Sequence, residues 1–437
     1  MDTLIIYSTT ITSRLKYVLK IVFHEIYQID YQLTDQRENY LSSEATKINY
    51  STNQIINDEI HILPSKLLFQ IGIREVELGF FKFNDVEYLF KSNNDKAYIH
   101  DIFASIFYLI SRYEEYLPHL KDKYGRYLHT ESIAYKNGFL HKPIVNIWIN
   151  NFIRHLELKN SSLKIKKPKF KFISTIDIDN AFLIKGKGFV RSLAFVVKSI
   201  FNINVENLQL FIDVLLNKRK DPFDTYTLQF NLNHKYNLNT KYFILLGDYA
   251  DYDKNLSHTN SNVATLIKRI ADFSSVGIHP SFASNLKVDI LKEEVSRLEN
   301  IQKREVLFSR QHFLKLSLPT TYNRLLSLGI YEDYTMGYGS ALGFRAGIAS
   351  PYSFYDLDIE QALPIKVFPF AITDDILRFN LNLDPKKAIE EINDIVKLVK
   401  KENGTLITIW HNDTFSNFGA WKGWKGVYED MIKLIKS

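Results

Sequence analysis

Two hydrophobic periods alternate along the chain. Leu4 to Tyr7 is continuously apolar and predicts a short strand. Ser13 then stands as a cap before Leu15, Val18, Leu19, Val22, Phe23 and Ile26, which recur at helical spacing. A second helix is predicted over Asp101 to Tyr116, ending before Pro118, and a third over Trp148 to Leu156. The loop between these two, with Gly125, Asn137-Gly138 and Pro143, is rich in turn formers. The charged, proline-bearing run Lys164 to Lys169 precedes a strongly β-like segment, so a domain boundary is expected there, dividing residues 1–165 from 170–437.

Beyond that boundary buried-type strands are predicted at Phe172 to Ile176, Tyr242 to Leu246, Val276 to Ile278, Val306 to Phe308 and Leu406 to Trp410. Helical patterns at Asn262 to Phe273, Leu291 to Lys303, Thr320 to Leu328 and Pro385 to Lys401 separate several of them. Such alternation predicts an α/β fold with a parallel sheet, either a barrel or doubly wound. The chain shows no internal repeat and no low-complexity tract.

Composition narrows the chemistry. Of 437 residues, 46% are hydrophobic, enough for a large core without covalent staples, and there is no cysteine. Disulfides, thiolate zinc sites and cysteine nucleophiles are therefore excluded, and any metal must be held by His, Asp, Glu or a hydroxyl. The net charge of +6 is spread along the chain without a basic stripe interleaved with stacking aromatics, which argues against a nucleic-acid partner. The start Met1-Asp2-Thr3 lacks a basic lead into a long apolar stretch, and no segment reaches the ~20 apolar residues of a membrane span. Cytoplasmic residence is the expectation.

Ionisable groups recur where strands end. Ser174-Thr175-Ile176-Asp177-Ile178-Asp179 closes a strand with two carboxylates on one face, suited to hold an ion or to divide into base and ligand. Gly277-Ile278-His279-Pro280 delivers a histidine into a turn, Ser309-Arg310-Gln311-His312 follows the next strand, and Trp410-His411-Asn412 follows the last. In parallel α/β folds the carboxyl ends of the strands share one rim, so these residues can form a single site. Each has a structural alternative: capping acids at a solvated strand exit for Asp177 and Asp179, a satisfied structural histidine for His279, and independent structural roles for the rest. Gly343-Phe344-Arg345-Ala346-Gly347 adds Arg345 as a candidate contact to a sugar hydroxyl or anionic substituent, and Trp410 is another candidate substrate contact. Trp421 and Trp424 could stack on sugar faces or pack in the core.

The order Thr-x-Asp-x-Asp, Gly-Ile-His, an arginine-bearing strand end, Asp374, and a late strand ending in His411 resembles the polysaccharide deacetylase (NodB-homology) family over about Phe172 to Ser437. The stretch Lys241 to Gly247 is similar to that family's second strand. The resemblance implies an irregular (β/α) barrel and hydrolysis of acetyl groups on sugars with one divalent ion, zinc above all. It implies Asp177 as general base, Asp179 and His279 as metal ligands, Arg310 orienting the base, His411 protonating the leaving group, and Asp374 tuning His411. Two departures stand out. Ile178 splits the family's adjacent acid pair, so base and ligand could be exchanged, and Ala283 occupies the place of its second metal histidine. His312 is the expected replacement, with Ser284 or water as the alternative. The first half resembles the leader domain of some bacterial members, without implying a task for it.

A carbohydrate deacetylase acting in surface polysaccharide biosynthesis is thus the expected function. The competing readings are an inactive carbohydrate-binding protein on the same fold, and a glycosyltransferase using Asp-x-Asp to hold a metal diphosphate.

Overall fold

The computed structural model describes residues 4–437 except 162, 164, 202 and 204. The start Met1 to Thr3 and Lys164 of the expected linker therefore lie outside the described residues. Leu4–Tyr7 (β1) pairs in parallel with Tyr31–Thr34 (β2) and Thr46–Tyr50 (β3), and β3 with Ile60–Ile62 (β4), forming a four-stranded sheet. A small antiparallel hairpin, Phe81–Phe83 (β5) and Val86–Tyr88 (β6), stands apart.

Helix boundaries in this half follow local chemistry. The first helix, Ser13–Leu19, is capped one residue earlier than expected, because the Thr12 hydroxyl accepts from Leu15 N at 3.1 Å. It continues as a π-helical turn, Lys20–Ile26, which keeps Ile21, Val22 and Phe23 in the core. The second helix starts where Asp101 accepts from Ala104 N at 3.0 Å, but ends at Ile110, well short of Tyr116. Arg112 takes a left-handed conformation (φ 56°), and its guanidinium folds onto Glu114 and Glu115. An arginine paired with its own sequence neighbours ends the helix that periodicity alone extends.

Among the described residues the second sheet has nine strands: Lys171–Ile178 (β7), Thr240–Ile244 (β8), Ser275–Ile278 (β9), Phe308–Ser309 (β10), Glu332–Asp333 (β11), Tyr352–Asp356 (β12), Gln361–Val367 (β13), Ile372–Thr373 (β14) and Thr405–His411 (β15). Their order is β12-β13-β11-β10-β9-β8-β7-β15-β14, and every pairing is parallel except β12 with β13. The architecture is the expected mixed α/β with a parallel sheet. It is an open arc: among the described residues no ladder joins β12 to β14 to close a barrel.

Helices cover this sheet with one apolar face each. Pro385–Lys401 is typical, with Asp384 capping Lys387 N at 3.0 Å, proline in the first turn, and Ala388, Ile392, Ile395, Val396 and Val399 buried. The core is continuous between the two sheets, taking in Leu4 and Ile48 as well as Leu406 and Ile432. Arg14 Nε donates to Glu360 at 2.8 Å across the same interface.

Register is what positions chemistry. Asp177 lies opposite His411 across β7–β15, Ile278 opposite Ser309 across β9–β10, and Thr373 opposite Ile409 across β14–β15. The residues leaving these strands, Asp179, His279, Arg310, Asp374 and His411, therefore emerge on one rim. Gly277 permits the tight approach of β10: a Cβ there would lie 2.3 Å from the Phe308 ring.

Candidate metal centre and active site

Asp179, His279 and His312 converge. His279 Nε2 lies 3.3 Å from Asp179 Oδ1 and His312 Nε2 3.4 Å from Asp179 Oδ2. One donor atom from each residue falls within 4.8 Å of the other two. Two ligands each about 2.1 Å from a tetrahedral ion stand about 3.4 Å apart, so the spacing fits a small divalent cation. Both rings are locked from behind: His279 Nδ1 donates to Arg310 O at 2.6 Å, and His312 Nδ1 meets Asp253 Oδ1 at 2.8 Å. Fixing Nδ1 in this way leaves Nε2 as the free donor. Asp179 Oδ1 makes no hydrogen bond although it is buried, an orphan that a cation would satisfy. The residues present fit the ion.

Electrostatics say the same. Burial alone would favour a neutral Asp179, but His312 and His279 outweigh it and hold the carboxyl well below its usual range. Burial likewise opposes charge on His312, yet Asp179 and Asp253 prevail and raise its pKa to about 9. A proton and a cation therefore compete for the same nitrogen.

Ser284, the alternative to His312, is buried with its hydroxyl donating to Ser281 O at 2.8 Å, and it does not line the cavity. Asp177 has a different environment from Asp179. Its Oδ1 accepts from Arg310 Nη1 at 2.7 Å, and its Oδ2 lies 3.8 Å from His279 Nε2. Arg310 is fully buried and also donates to Thr175 Oγ1 at 2.7 Å and Tyr334 O at 3.0 Å. The geometry separates the two acids, one against the arginine and one between the histidines.

His411 forms the third part. Its Nδ1 meets Asp374 Oδ1 at 2.8 Å, and its Nε2 is 3.9 Å from both Asp179 Oδ2 and Asp375 Oδ2. Burial disfavours the imidazolium, but Asp374 and Asp375 more than offset it, and the pKa stands well above the ordinary value. Asp374 also accepts from His411 N at 2.8 Å and from the Thr414 hydroxyl. With these lone pairs occupied, Asp374 has little left to offer an ion, so the group of Asp374, Asp375 and His411 suits a metal less well than Asp179, His279 and His312 do.

The cluster floors a cavity of about 680 Å³. One wall comes from the N-terminal half, where Lys123, Tyr124 and Arg126 face Phe313; Tyr124 packs on that ring at 4.9 Å and Arg126 Nη1 donates to its carbonyl at 2.9 Å. Gly339 makes room, since a Cβ there would lie 2.1 Å from Arg126 Nη1.

Two sequence-based expectations, at Arg345 and Trp410, meet a different placement, and at Trp421 and Trp424 the core-packing alternative holds. Arg345 does not line the cavity: it is buried in a two-pronged pair with Glu115, at 2.8 and 2.6 Å, which consumes the donors a sugar would need. Trp410 points into the core beside Tyr428 and Phe415, because its neighbour His411 takes the opposite face of the strand. Trp421 and Trp424 pack edge-on against each other, 4% and 2% exposed, so neither is free to stack on a ligand.

Sequence reasoning missed Asp253, Asp375 and the Lys123–Arg126 wall. The signal for Asp253 was present: Asp248, Asp251 and Asp253 follow the strand at Tyr242 and so fall on the rim that carries Asp179 and His279. The wall carried no signal, because its approach depends on contacts between the halves.

Comparisons with known proteins extend this picture only modestly. Residues 4–161 match a family described as "Family of unknown function (DUF7033)". No curated protein matches. Solved structures similar to the chain include a polysaccharide deacetylase from Bacillus cereus, with 13% identity, a TM-score of 0.29, and coverage of 61% of this chain and 87% of that one. A CE4 family pseudoenzyme from Bacillus anthracis shows 9% identity, a TM-score of 0.30 and coverage of 61% of each chain. A GH57 branching enzyme from the archaeon Thermococcus kodakaraensis shows 10% identity, a TM-score of 0.33, and coverage of 61% and 67%. Likeness this distant carries no functional argument, so function must be argued from the side chains themselves.

Proposed function

We propose that the chain is a metal-dependent hydrolase that removes an N- or O-acetyl group from a carbohydrate, serving surface polysaccharide biosynthesis in the cytoplasm. The observation that carries this reading is the meeting of three donors, from Asp179, His279 and His312, beside a carboxylate held by arginine and a histidine held by aspartate. Asp179, His279 and His312 would hold the ion. A bound divalent cation, zinc by its nitrogen and oxygen donors, supplies Lewis acidity toward an acyl oxygen and an attacking water.

The remaining work falls to the chain. Arg310 fixes Asp177 through Oδ1 and leaves Oδ2 to accept the proton of the attacking water. His411, whose affinity for a proton Asp374 and Asp375 raise well above that of an ordinary imidazole, gives its Nε2 proton to the departing amine or alcohol, and Asp374 keeps that ring oriented through Nδ1. Tyr124, Phe313 and Phe379 offer apolar faces to a sugar within the cavity. Asp-x-Asp as a diphosphate clamp fits less well, since Asp177 is neutralised by Arg310.

The inactive carbohydrate-binding reading draws on Ala283 standing where the family's second metal histidine is expected. The two readings separate in one experiment: elemental analysis together with acetate release from acetylated amino sugars and acetylated xylan. The deacetylase reading expects one equivalent of metal and activity, both abolished in Asp179→Ala. A metal-free protein that still binds acetylated glycans would sink it.

A further inference from the structure

The chain between β7 and β8 makes a helical hairpin, Gly188–Phe201 and Val205–Leu215, that the catalytic reading does not use. It leaves β7 on the rim that carries Asp179. We infer that this hairpin is a membrane-surface anchor, and that its occupant is the face of a bilayer containing anionic lipid.

The hairpin is ordered from behind. Asp221 accepts from Leu183 N, Ile184 N and Lys185 N at 2.8, 2.7 and 2.9 Å, pinning its two ends together. Phe195 stacks on Phe211 at 5.7 Å, joining the two helices. Ile184, Leu210 and Val214 form a small core separate from the main one. Folding has therefore used one face of the pair.

The other face is apolar and open. At the tip Phe201, Ile203 and Val205 are 83%, 86% and 68% exposed, and along the helices Phe189, Val190 and Leu216 are exposed as well. Side chains of this size exposed together cost solvation, and such patches mark contact with a protein or a membrane.

Charge decides between them. The base carries Lys185, Lys187, Lys218, Arg219 and Lys220, while between residues 185 and 220 the acids are Glu206 and Asp213. Apolar groups at the tip with cations at the base is the depth profile of a segment seated among headgroups, where cations near an anionic surface are attracted to it. The longer helix has 14 residues, about 21 Å of rise, too short to span the ~30 Å hydrocarbon core, so the hairpin lies on the membrane and does not cross it. No helix among the described residues is long and apolar enough to cross one. The inference is independent of the catalytic reading, although anchoring here would hold the rim near lipid headgroups.

Sedimentation of the full chain with lipid vesicles tests it. Binding is expected to vesicles of phosphatidylcholine with phosphatidylglycerol, weak binding to phosphatidylcholine alone, and reversal by salt. Phe201→Glu/Ile203→Glu, whose side chains touch nothing that folding needs, should lower the partition coefficient at least about tenfold with an unchanged circular dichroism spectrum. Three results would overturn the anchor: no binding to the anionic vesicles, undiminished binding by the variant, or a wild-type dimer in gel filtration that the variant converts to monomer, which would assign the face to a second copy of the chain.

Discussion

Among the buried arginines that hold carboxylates, Arg345 and Arg310 do so in opposite ways. Arg345 grips Glu115 with both prongs, and Arg112 adds a third contact to the same acid, so every charge is matched and nothing faces the cavity. Arg310 binds only one oxygen of Asp177 and leaves the other beside His279 and the cavity. The first arrangement fastens the two halves of the molecule together, and the second holds a carboxylate still while leaving one of its oxygens open to the cavity. A buried ion pair thus indicates function by the lone pairs it leaves open, not by its burial or strength.

Substitutions can break this comparison at either end. Asp177→Asn should lower kcat by ~10²–10⁴ with metal content and thermal stability preserved, because it removes a proton acceptor and keeps a partner for Arg310. Equal losses in rate and folding would erase the distinction. Glu115→Gln should do the reverse, costing about 3–5 kcal/mol of stability by leaving buried guanidinium charge uncompensated, with acetate release per folded molecule unchanged. Urea unfolding read beside specific activity separates these outcomes.

The same acid makes a prediction in pH. Burial opposes the charge on Glu115, but Arg345 and Arg112 overcome it and bring its pKa down to about 2. A carboxyl depressed in the folded state contributes stability that is complete above its unfolded value of about 4.5 and is lost as pH falls toward 2. In acid titrations monitored by circular dichroism, Glu115→Gln should flatten the wild-type decline across that window. A smaller effect is expected at Asp253, which meets the back of His312 and also accepts from Phe282 N: Asp253→Asn should weaken metal affinity by about 10–100-fold, measured by competition with a chelator.

Much of the rim was legible in sequence. A strand that must bury both faces reads as an apolar run, and the first polar residue after it marks the exit; Asp177, His279, Arg310 and His411 were found that way, and the register then brought them together. Arg345 was misplaced because nothing local says whether a guanidinium meets a distant carboxylate. Trp410 was legible: with His411 on the rim, the two-residue period of the strand turns its neighbour to the other face. The cavity wall at Tyr124 and Arg126 depends on contact with Phe313, 187 residues from Arg126 in sequence, and no periodicity encodes such a contact. The hairpin after Asp179 also escaped notice, because its apolar residues resemble ordinary buried helix until their exposure is seen.

The central claim is that Asp179, His279 and His312 share one cation, with His312 replacing a ligand absent at Ala283. Metal titration of wild type and His312→Ala, followed by calorimetry on chelator-stripped protein, tests it most directly. One tight equivalent in the wild type, weakened by several orders of magnitude in His312→Ala, is the predicted result. Equal affinity in both proteins, or no binding in either, would contradict it.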